Sequence, residues 1–138
     1  MESAADFGRA YPSLVVDATA RVAALGPDLL KLPFPVDETV APPSEEAGAA
    51  IRRLDAATRG VPWVLLGGGA DVETFLDQVQ AAGAGGASGF LAGRGIWGPA
   101  LHPDPGVVEG RAVTIARPVL ERCRLAVERV ARPLPAAA

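Results

Sequence analysis

One lysine, one cysteine and one histidine among 138 residues leave this chain short of several side chains on which protein chemistry usually rests. With Cys123 alone there is no disulfide framework, and with His102 alone there is no cysteine and histidine cluster at metal-ligand spacing. A reducing cytoplasm fits that usage. Basic surface is scarce as well: the net charge is -3, the pI is near 5.1, and acids and bases are interleaved along the chain. Nucleic acid and a polybasic membrane anchor are therefore excluded as expected partners. No apolar run approaches the ~20 residues that span a bilayer, and the amino-terminal MESAADFGRA has no apolar signal core. A soluble, cytoplasmic chain is the expectation.

What remains is 49% hydrophobic content in the length of one ordinary domain, enough for a buried core. A single domain over 1–138 is predicted, with 131–138 as a disordered tail. From Ser13 to Leu25 the residues Leu14, Val15, Ala18, Val22 and Leu25 recur near the helical period, and Gly26-Pro27 ends the pattern. DLLKLPF, residues 28–34, reads as a strand that Pro33 and Pro35 limit to its first few residues. The proline pair Pro42-Pro43 and Ser44, a helix cap, open a second helix that carries Ala47, Ala50, Ile51 and Leu54 and ends at Gly60.

The run Trp63-Val64-Leu65-Leu66 has the continuous apolar character of a parallel strand covered on both faces, and it breaks into Gly67-Gly68-Gly69. Asp71 caps a third helix with Val72, Phe75, Leu76 and Val79 on one face. A short strand around Gly89 to Ala92 runs into Gly93-Arg94-Gly95. A helical segment from Val107 to Val130 closes the chain, with Pro118 marking a kink or a new start. This alternation implies βαβ units and a parallel sheet, an α/β fold in which chemistry collects at the carboxyl ends of the strands.

Three strand ends carry the candidate site. Gly67, Gly68 and Gly69 let a ligand approach the main chain closely and, before the Asp71 helix, offer N–H groups to a phosphate; the alternative is a plain strand-to-helix turn. Arg94, flanked by Gly93 and Gly95, offers a bidentate fork to phosphate oxygens or is a solvated surface residue. Lys31 lies inside an apolar run, where desolvation would lower its pKa from ~10.4 toward a nucleophilic range. An arginine cannot take that place, because a guanidinium neither deprotonates nor forms an imine. The competing reading is a strand-end lysine that snorkels to water. His102 reads as a loop residue and Cys123 as a small core residue.

The stretch PWVLLGGGADVETFLDQVQAAGAGGASGFLAGRGIWGPAL, together with DLLKLPFPVD, resembles the carboxyl-terminal part of the class I aldolases related to tagatose 1,6-bisphosphate aldolase and sulfofructosephosphate aldolase. The features that carry the likeness are Pro62-Trp63 before the strand, the glycines after it, Phe75, and GASGFLAGR with Trp97 three positions after Arg94. The resemblance implies a partial (β/α)8 barrel whose strands are the sixth, seventh and eighth. It also implies Lys31 as the imine-forming residue and Gly67, Gly68, Gly69, Gly93 and Arg94 as ligands of a substrate phosphate. The implied reaction is reversible cleavage of a phosphorylated ketose to dihydroxyacetone phosphate and an aldehyde, with no metal and no organic cofactor. Family members often have a glutamate where this chain has Pro33, and a serine where it has Gly67. A barrel of this kind takes ~250 residues, so self-association or a chain supplying the first five strands is expected.

Overall fold

The computed structural model describes residues 4–37 and 44–136. The Pro42-Pro43 pair lies outside the described residues. Three strands, β1 (Leu30–Leu32), β2 (Trp63–Leu66) and β3 (Gly89–Leu91), form one parallel sheet in the order β1-β2-β3. They alternate with the helices α1 (Ala4–Ala23), α2 (Glu45–Ala57) and α3 (Val72–Ala84). After β3 come the single turn α4 (Arg94–Trp97), a 3-10 turn (Gly98–Ala100), α5 (Pro105–Arg111), a π-helical stretch (Ala112–Ala116) and α6 (Arg117–Glu128).

The register pairs Lys31 with Val64 and Val64 with Gly89, one level below the row that pairs Leu65 with Phe90. Residues at one level of a parallel ladder share a face, so the pleat sorts the strands into two sets. Leu30, Leu32, Trp63 and Leu65 face the helices and join Ile51 and Leu54 of α2 and Phe75 and Val79 of α3 in a continuous core. Trp63 and Leu65 are fully buried there. Phe90 meets Phe75 edge-on, with ring centroids 5.9 Å apart, and so ties β3 to α3. Lys31, Leu66 and Leu91 belong to the opposite face, and Lys31 is exposed while both neighbouring leucines are buried.

Local chemistry sets the helix ends. Ser44 caps α2 by accepting the Ala47 N–H at 3.1 Å, and Asp71 caps α3 by accepting from Glu73 and Thr74. The second helix stops at Ala57, three residues before the expected Gly60, because Arg59 (φ 55°) and Gly60 (φ 84°) both take left-handed backbone. Pro118 falls in the first turn of α6, where the π-helical stretch passes into α6 with helical backbone at both Ala116 and Arg117.

The first helix differs most from its expectation. It starts at Ala4 rather than Ser13, carries Pro12 inside it, and buries Val15, Thr19 and Ala23. Of the expected apolar face, Val15 is buried, whereas Leu14, Ala18, Val22 and Leu25 are exposed. The helix packs on α2 through one stripe and turns the neighbouring stripe toward an open groove of about 440 Å³ beside β1. At the far end of the chain, Asp55 accepts from the Trp63 indole (3.0 Å) and from both terminal nitrogens of Arg132 (3.2 and 3.0 Å), while the Arg132 N–H donates to the Ala87 carbonyl. No helix among the described residues is long and apolar enough to cross a membrane.

Candidate active site at the strand ends

The carboxyl ends of the three strands open into one depression of about 890 Å³. Lys31, Gly67 to Gly69, Gly93 and Arg94 all line it, so residues spread over more than sixty positions converge on a single surface. Lys31 is held by β1, whose buried leucines on either side leave its side chain only the open face. The expected desolvation of the amine by the described residues is not observed: the three strands lie to one side of it and Lys31 is exposed. Neither Lys31 nor Arg94 forms an ion pair among the described residues, so both cations stand available to an anion in the depression.

The two glycine turns are built differently. Gly67 gives its N–H to the Leu91 carbonyl at 2.9 Å, which extends the β2–β3 ladder by one bond. A Cβ at Gly67 would stand 3.3 Å from the Ala92 Cβ, so this position serves through its missing side chain rather than through a free amide. Gly68 has open space at its α-carbon, and Gly69 adopts φ 100°, the left-handed region that glycine favours. Ile96, buried beneath the second turn, packs with Phe75 and Val119 around a small apolar floor shared by both turns. Ile96 was not singled out in the sequence, because one apolar residue in a four-residue turn has no periodic pattern to announce it.

Electrostatics separate the turns further. Asp71 already accepts the N–H groups of Glu73 (3.0 Å) and Thr74 (3.1 Å), and its other oxygen takes the Thr74 hydroxyl at 2.6 Å. These bonds, the Thr74 hydroxyl foremost, hold the Asp71 carboxyl below its ordinary value. The first turn of α3 is thus capped by a carboxylate, and an anion at Gly68 and Gly69 would meet no free helix end there. Glu73 is likewise lowered by its two-pronged pairing with Arg122 of α6, at 2.8 and 2.7 Å. Positive charge at the strand ends comes from Lys31 and Arg94.

His102 and Cys123 lie away from this depression. The exposed His102 Nδ1 accepts the Asp104 N–H at 3.1 Å, which shapes a turn. Cys123 is fully buried among the core side chains, and burial pushes its thiol pKa up, away from thiolate chemistry.

A family model described as DeoC/LacD family aldolase matches residues 2–98, more than half of the chain. The chain belongs to the DeoC/LacD family of aldolases. The matched region of this DeoC/LacD family chain contains all three strands, both glycine turns and α4, and therefore every residue that lines the strand-end depression. The α/β arrangement with three parallel strands is compatible with part of the aldolase barrel.

Proposed function

We propose that the chain carries the imine-forming and phosphate-binding portion of a class I aldolase that cleaves a phosphorylated ketose reversibly to dihydroxyacetone phosphate and an aldehyde. The observation that carries this reading is the convergence of the only lysine, the 67–69 turn and the 93–95 turn on one depression in a DeoC/LacD family chain. Lys31 attacks the ketone carbon as the free amine, and loss of water leaves a protonated imine. When the C3–C4 bond breaks, its electron pair moves to the iminium and gives an enamine, while the C4 hydroxyl gives its proton to solvent water and becomes the carbonyl of the departing aldehyde. Protonation at C3 and addition of water to the imine then release dihydroxyacetone phosphate and return the amine of Lys31.

The phosphate is assigned to Gly68, Gly69, Gly93 and Arg94, with Gly67 giving close access to the backbone. Arg94 supplies the charge and the fork geometry that suit phosphoryl oxygens. In this reading the sixth to eighth barrel strands are β1 to β3, and further strands, from a second copy or another chain, enclose Lys31 and exclude water around it.

Sodium borohydride reduction in the presence of dihydroxyacetone phosphate, followed by mass spectrometry, tests the chemistry. A reduced adduct on Lys31 is expected; a folded sample without one rules out imine formation. One observation favours a second reading, phosphate binding without turnover. Pro33, two residues beyond Lys31 and just after β1, has no ionisable group with which to move a proton. Lys31→Arg separates the two, since binding survives the change in the second reading and trapping is lost in the first.

A further inference from the structure

Trp97 follows the second glycine turn, next to Gly93 of the depression's lining, and belongs to none of the roles above. It lies at the end of α4, where its backbone N–H donates to the Gly93 carbonyl at 3.2 Å. The side chain folds back on the same glycine: a Cβ at Gly93 would lie 3.5 Å from the indole Nε1. The indole is about half exposed, and its N–H has no acceptor among the described residues. An indole nitrogen only donates, and at this half-exposed position it is open to an acceptor from solution. Arg94 precedes it by three positions in the sequence, and Gly93 and Arg94 both line the depression. An anion held there by the Gly93 backbone and the Arg94 guanidinium would therefore lie beside an unused, polarised N–H.

The other tryptophan makes a useful contrast. Trp63 is fully buried, and its indole N–H is committed to Asp55 at 3.0 Å, on the helix-covered face of the sheet. Two indoles in one chain are thus in opposite states, one with its donor occupied and one with its donor free beside a candidate anion site.

We infer that Trp97 is a ligand of the bound phosphoryl group, its indole N–H donating to an oxygen held by Gly93 and Arg94. This rests on the phosphate reading of the strand-end site. A phosphoryl dianion has more acceptor positions than one guanidinium fork can fill, and a neutral donor adds a directional bond without adding charge.

The chain's two indole N–H groups give separate signals in a proton–nitrogen correlation spectrum of the labelled protein, so inorganic phosphate can be titrated against both at once. The Trp97 signal is expected to move saturably while the Trp63 signal stays in place. Trp97→Phe keeps an aromatic body and removes the donor; phosphate binding about tenfold weaker is expected, as for loss of a hydrogen bond to a charged group. Should Gly68 and Gly69 amides respond with the Trp97 indole unmoved, or should Trp97→Phe bind as tightly as the parent, the assignment of Trp97 is wrong and the phosphate site stands. Should no signal move and Arg94→Ala alter nothing, the phosphate site falls with it. The titration of the parent protein decides the matter even where the variant folds poorly.

Discussion

The two faces of the sheet are made from alternate residues of the same three strands and have opposite characters. On the covered face Trp63 and Leu65 are wholly buried, with Leu30 and Leu32 nearly so, packed against α2 and α3. On the open face Lys31 is exposed, Leu91 is about half exposed, and the glycine turns leave backbone within reach of a ligand. Packing and the proposed chemistry are thus divided by the pleat of the strands, and each residue's surroundings follow from its parity. Val64 is the exception that shows the limit of the division, for it is buried on the open face between the Lys31 and Gly89 positions without joining the core.

Substitutions that separate the faces test this division directly. Lys31→Met has the largest effect on chemistry and the smallest on folding: borohydride trapping disappears entirely, while urea unfolding stays within about 0.5 kcal/mol of the parent. Leu65→Ala does the reverse, lowering unfolding free energy by about 2–5 kcal/mol through the cavity it leaves, as read from a denaturant titration. Arg94→Ala weakens inorganic phosphate binding by about tenfold or more in calorimetry and leaves the unfolding midpoint in place.

Gly67→Ala blurs the comparison by design. The added methyl meets Ala92 at 3.3 Å across the seam between the turns, so a modest destabilisation of about 1 kcal/mol accompanies weaker phosphate binding. The smallest effect is expected at Asp71, whose folded-state carboxyl sits below its ordinary value. Its contribution is fully present above the unfolded value near 3.8 and is lost as pH falls through the lowered folded value. Asp71→Ala should flatten that acid-side dependence in a pH series of melting curves and lower stability at neutral pH by about 0.5–1 kcal/mol, as for loss of a helix cap.

Much of the sheet was legible because apolar runs and glycine breaks are local signals. Trp63 to Leu66 is the strand its composition predicts, and Ser44 and Asp71 cap the helices they were expected to cap. The residues assigned to the strand-end site also share one depression, since parallel strands bring their carboxyl ends together whatever lies between them. What was not legible depended on neighbours distant in sequence. The α1 stripe of Leu14 and Val22 has helical spacing but is left uncovered, because periodicity shows that a face is apolar and not what packs on it. The commitment of the Gly67 amide to Leu91 depends on sheet register, and the capping of α3 by its own carboxylate removes donors that the glycine triplet had suggested.

The alternation buried, exposed, buried across Leu30, Lys31 and Leu32 has a consequence for how the amine keeps its address. A slip of β1 by one residue would drive the ammonium into the hydrophobic interior and strand two leucines in water, so misplacement is penalised far more heavily than any contact at the amine itself could enforce. The placement of the Lys31 amine is therefore inherited from two residues buried in the core. A directed-evolution campaign aimed at this lysine would do well to treat its leucine neighbours as fixed.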